Sequence, residues 1–61
     1  MAINWIKNFN IKDLFKADPD DLGRWYMEAM LDAEEQTTWR DMYLAILFAR
    51  ACKERQQLIT S

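Results

Sequence analysis

Apolar residues recur at helical spacing along most of the chain. At 100° per residue, Leu22, Trp25, Tyr26, Ala29, Met30 and Ala33 form one broad stripe. Gly23, Met27 and Leu31 carry it onto a second face, leaving Arg24, Glu28, Asp32 and Glu35 as a narrow polar remainder. The apolar arc covers roughly 240° by this construction, whereas a helix packed on one side of a monomer needs about 100° or somewhat more. A second run is equally two-sided. Trp39, Met42, Tyr43, Ile46 and Ala49 align on one face, and Leu44, Leu47, Phe48, Ala51 and Cys52 on another. In the stretch MYLAILFARAC, residues 42–52, only Arg50 interrupts the apolar residues.

Start and stop signals divide this pattern. Asp18 is suited to cap a helix N-terminus, with Pro19 at the first helical position and Asp20 and Asp21 beside the positive end of the dipole. Thr38 with Asp41 three residues on resembles a capping box, and the β-branched pair Thr37–Thr38 weakens a continuous helix. The spacing therefore predicts helices over about 19–35 and 38–58, with fraying after Gln57. Neither Gly nor Pro enforces the break, so one continuous helix spanning both is the competing reading. Upstream, Ile3, Trp5, Ile6 and Phe9 fit a turn or two of amphipathic helix. Asn10 with Asp13 can cap a second short helix through Lys16, with Ile11, Leu14 and Phe15 on its apolar face. Residues 1–17 are expected to form a helical arm docked on the two long helices.

Composition turns these helices into an expectation about assembly. The chain has 61 residues, enough for a single small domain, yet 51% of them are hydrophobic. A domain this short buries only about 60% of the surface its unfolded chain exposes. The single Gly and single Pro disfavour turn-rich β architecture and disorder. The expected fold is all-α: a helical hairpin with a short helical N-terminal arm, completed by oligomerisation. Leu22, Tyr26, Met30, Trp39, Tyr43 and Ile46 are the candidate intrachain core. Met27, Leu31, Leu44, Leu47, Phe48 and Ala51 are the candidate interface with another copy.

The formal net charge of −2 conceals three blocks. Residues 1–17 carry +2, residues 18–35 carry −6, and residues 36–61 carry +2. An acidic middle between basic ends suits segments that fold back on one another or on a second copy. Exposed ion pairs contribute little individually, so much of this charge is expected simply to solvate the surface.

Candidate chemistry is sparse. There is no His, and Cys52 is the only cysteine, so no intrachain disulfide can form. In an apolar helical run a lone Cys acts as a small hydrophobe. Asp18, Asp20 and Asp21 lack the spacing of a calcium loop. Glu28 and Asp32 share a helix face at i, i+4, but that face is otherwise polar and solvation explains it. With no nucleophile elbow and no Gly-rich phosphate loop, the sequence points away from an enzyme and implies no metal and no cofactor. A small DNA-binding transcriptional regulator is the first alternative, with Arg50, Lys53 and Arg55 as backbone contacts. The acidic balance, with a pI near 4.9, argues against nucleic acid as a partner. The third reading is a membrane-surface protein, because INWIKNFNIKDLFK interleaves Trp, Ile and Phe with Lys. Three Lys against one Asp give only modest attraction to anionic lipid, so a membrane partner is disfavoured too. MAINWIKNFN has no unbroken apolar region of a secretory signal, and no apolar run approaches the ~20 residues of a membrane span. A cytoplasmic location is expected.

Small size, absence of catalytic motifs and aromatic-rich helices give the whole chain a resemblance to the small helical accessory proteins of temperate bacteriophages. The resemblance implies a modulator that acts in the host cytoplasm by binding another protein. It carries no functional residues with it. The function expected from the sequence is non-catalytic regulation or assembly through helix-mediated protein–protein contacts, with a homodimer or higher homo-oligomer and a possible heterologous protein partner.

Overall fold

The computed structural model describes residues 3–60, and these form four helices with no strand among them. Residues 1–2 of the expected arm, and residue 61, lie outside the described residues. The arm comprises α1, Asn4–Lys7, and α2, Ile11–Lys16; the hairpin comprises α3, Pro19–Glu35, and α4, Trp39–Thr60. The 22 residues of α4 set the 35 Å long dimension of the molecule, at about 1.5 Å per residue.

The helix ends follow from local chemistry. Asp18 holds an extended backbone and its Oδ1 accepts from the Asp21 N–H at 2.9 Å, with Pro19 in the first turn. Asn10 caps α2 in the same way, its Oδ1 accepting from Lys12 N–H at 3.0 Å. The break between α3 and α4 is made without Gly or Pro. Gln36 leaves the helical region, its backbone N–H donates to the Ala33 carbonyl at 3.3 Å, and its side-chain Nε2 donates to the Asp32 carbonyl at 2.9 Å. One residue thus satisfies two carbonyls that the end of α3 leaves open. The chain bends through 37–38, and the Met42 N–H reaches the Thr38 carbonyl at 3.1 Å to start α4. There are two helices, not one. Asp41 points its carboxylate toward Lys7 Nζ, 3.8 Å away. α4 runs past the expected end at about 58 to Thr60, whose hydroxyl donates to the Gln56 carbonyl at 2.9 Å.

A three-residue connection makes α3 and α4 antiparallel neighbours in contact along their lengths. The seam between them is built mainly from small side chains. Leu22, Ala29 and Ala33 of α3 meet Ala45, Ala49 and Cys52 of α4, and every one is buried. Small contact residues let helix backbones come close. Large side chains cannot fit between such backbones and must splay into the grooves on either side.

This corrects the expected core. Leu22 is fully buried, and Tyr26, Met30 and Ile46 pack half-buried against the core. Trp39 and Tyr43, however, are 73% and 56% exposed. They lie off the α3-facing side of α4, because the alanine positions take the inward direction. Phe48, expected at an interface with another copy, is instead buried within the chain.

Gly23 has a defined purpose in the hairpin. A Cβ there would sit 3.0 Å from Gln56 Nε2, which donates to the Pro19 carbonyl at 2.8 Å. The missing side chain leaves room for an amide that ties the last turns of α4 to the first turn of α3. Gly23→Ala gains about 1 kcal/mol of helix propensity but crowds that amide. In a Gln56→Ala background the same substitution should stabilise by about 1 kcal/mol, and in the wild type by less. A double-mutant cycle from urea denaturation measures the difference, and equal effects in the two backgrounds would contradict it.

Candidate interaction surfaces

The two grooves of the hairpin have different fates. The arm fills one. Trp5 and Phe9 enter it from α1 and the residues after it, and meet Phe48 of α4 and Trp25 of α3. Ring centroids are 5.3 Å apart for Trp5–Phe48, 4.9 Å for Phe9–Phe48 and 5.0 Å for Phe9–Trp25, all edge-to-face. That geometry sets the positive edge of one ring against the negative face of the next. Ile3, Ile6 and Leu14 complete the buried layer. Trp5 also donates from Nε1 to Asp32 Oδ2 at 2.7 Å, a short bond to a charged acceptor. Arg55 holds the far end of the arm. Its Nη2 donates to the Phe15 carbonyl at 3.4 Å, and its guanidinium lies 5.0 Å from the Phe15 ring centroid. Its Nε is buried without a hydrogen-bond partner. Docking of the arm, expected from its amphipathic pattern, is therefore a feature of the fold.

The other groove carries no such cover from the arm. One residue along a helix turns the side chain by 100°. Trp25 and Asp41 face the arm, so Tyr26 and Met42 turn to the opposite flank, joined there by Met30 and Ile46. Lys53 Nζ lies 5.2 Å from the Tyr26 ring centroid, which confirms that these parts of α3 and α4 share a flank.

The candidate interface residues consequently separate. Met27, Leu31 and Leu47 are exposed, Leu44 and Ala51 are half-buried against the core, and Phe48 lies beneath the arm. Asp18 is the helix cap it was expected to be. The sequence reading missed Ala45 as a core position and placed Trp39 and Tyr43 inward. The i, i+4 spacing of Ala29–Ala33 and Ala45–Ala49 is the signal that would have found the seam.

The groups with chemical potential are engaged structurally or lie open to solvent. Asp32 is committed to Trp5, while Glu28 is exposed, so the two do not converge as an acid–base pair. Among the described residues no His, Cys, Asp or Glu cluster is placed to hold a metal. Cys52 is buried in the seam, and burial pushes its thiol from 9.0 up to about 11. An open depression of about 430 Å³ lies at the α3–α4 turn, lined by Thr37, Thr38, Trp39, Arg40 and Asp41. No buried polar residue points into it. No described helix is long and apolar enough to cross a membrane.

No protein-family model, no curated protein and no solved structure matches the chain.

Two outcomes follow from this geometry. Trp5→Phe keeps an aromatic ring in the groove but removes the bond to Asp32. It should cost about 1–2 kcal/mol in a urea denaturation, below the full value of a charged hydrogen bond because Asp32 is only half-buried. An unchanged midpoint would show that the bond is not what fastens the arm. Cys52 should react with a disulfide reagent at pH 8 about 100-fold more slowly than a free cysteine, from its reduced thiolate fraction alone. The stabilisation from keeping this thiol neutral is complete below pH 9 and declines as pH rises toward 11, because the raised pKa belongs to the folded state.

Proposed function

We propose that this chain is a non-catalytic regulatory or assembly protein that acts through helix-mediated protein–protein contacts, beginning with self-association. The observation that carries this reading is the apolar surface left outside a hairpin whose seam and arm groove are already filled. Trp39, Tyr43 and Leu47 on α4, and Met27 and Leu31 on α3, remain exposed after the chain has made its own core. Aromatic and Met side chains are enriched at protein interfaces. The resemblance to small phage accessory proteins supports the same reading and gives it a setting, the host cytoplasm, where the chain modulates another protein. The commitment of Asp32 to the arm and the high pKa of Cys52 both favour a binding role over a chemical one.

Multi-angle light scattering on the purified chain should give a mass above the 7.3 kDa of one copy at micromolar concentration. The thermal midpoint should rise with protein concentration, as it does when folding and association are linked. A folded species that stays monomeric at high concentration would overturn self-association.

A further inference from the structure

We propose that the uncovered flank of the hairpin is the self-association surface, and that a second copy covers it with the same flank to form a four-helix core with both arms outside. This rests on the self-association reading above and specifies where it happens.

The arm selects the flank. It already occupies one groove with Trp5 and Phe9, packed on Trp25 and Phe48. The opposite groove holds Tyr26 and Met30 from α3 and Met42 and Ile46 from α4, with Met27, Trp39 and Tyr43 at its margins. Three of the four methionines of the chain thus gather on one side. Met adapts its shape to a facing surface more readily than branched residues do.

Area supports a second copy as the occupant. Trp39 is 73% exposed, Met27 64%, Tyr43 56% and Met42 37%. These four side chains offer roughly 500 Å² per copy, and half-buried Tyr26, Met30 and Ile46 add to it, against about 800 Å² that each partner buries in a standard interface. An isologous pair uses this patch twice and needs no other surface.

Charge is kept to the ends of the flank. Lys53 and Arg50, the latter 4.0 Å from Glu54, lie beyond Ile46 toward one end of the hairpin, and Glu34 lies beyond Met30 toward the other. Lys53 Nζ sits over Tyr26, 5.2 Å from its ring centroid, and the stretch around Met30, Met42 and Ile46 beyond it carries no charge. A two-fold axis lying across the helices brings the Arg50–Lys53 end of each copy over the Glu34 end of the other. Like-charged ends would meet if the axis ran along them, so electrostatic complementarity favours the crosswise arrangement.

The test compares two pairs of substitutions by sedimentation equilibrium, with helicity checked by circular dichroism. Met27→Glu with Tyr43→Glu charges the margins of the open flank at positions exposed enough to keep Glu solvated in a monomer. Leu31→Glu with Leu47→Glu charges exposed positions that turn away from it. The first pair should weaken the dimer at least 100-fold and leave a helical monomer; the second should leave it dimeric. Dissociation by the second pair and not the first would overturn this surface while sparing self-association. A monomeric wild type would overturn both. A measurement on the wild type decides the matter even if the first pair unfolds. In a dimer mixed from methyl-labelled and unlabelled chains, isotope-filtered NOEs should connect the methyls of Met27, Met30 and Met42 to the other copy. Their absence in a sample shown to be dimeric overturns the placement.

Discussion

The narrow seam between α3 and α4 governs the rest of the molecule. Ala29 and Ala33 face Ala45, Ala49 and Cys52, and all are buried. Alanine brings little apolar area of its own to a core, at about 25 cal/mol per Å² buried. What it supplies is proximity, together with the strongest intrinsic preference for helix among the residues. Once the backbones are close, the bulky side chains other than Leu22 must point into a groove or outward. The seam therefore decides which aromatic residues the chain can bury unaided and which it cannot.

The arm follows from that arrangement. Two helices joined along alanines leave a trough on each side, and among the described residues the arm fills one of them. Trp5 and Phe9 do so, locking onto Trp25 and Phe48 through edge-to-face contacts and onto Asp32 through the indole N–H. The arm is accordingly part of the core, although α1 is a single turn and α2 has six residues. Short helices of this kind are marginal in isolation, and tertiary contacts hold them in place. Arg55 serves the same end from α4, meeting both the backbone and the ring of Phe15.

Local signals in the sequence were legible because their chemistry is local. Asp18–Pro19 announced the start of α3, Asn10 announced α2, and the helical spacing of apolar residues gave an all-α hairpin with a docked arm. The facing of α4 was harder to read. Apolar residues surround most of that helix, so apolar bulk alone ranks the stripe of Trp39, Tyr43 and Ile46 above that of Ala45, Ala49 and Cys52. The true choice depends on how closely two backbones can approach, a pairwise property that appears only when α3 and α4 are considered together. Gln36 escaped notice for a related reason. Its capping role requires the side chain to curl back onto the Asp32 carbonyl, and glutamine carries no strong positional preference of that kind. In the final turn of α4, Gln56 is tied across to Pro19 and Thr60 bonds back to Gln56, contacts that hydropathy spacing does not reveal.

Under the proposed self-association, filling one trough and not the other also bears on valency. A bare hairpin would present an open trough on each side, and such a unit could add neighbours at both, building open-ended stacks. With Trp5 and Phe9 seated, one of the two troughs is closed to a neighbour. In that proposal the arm would act as a chain terminator, its few aromatic contacts separating a unit that closes on itself from one that polymerises.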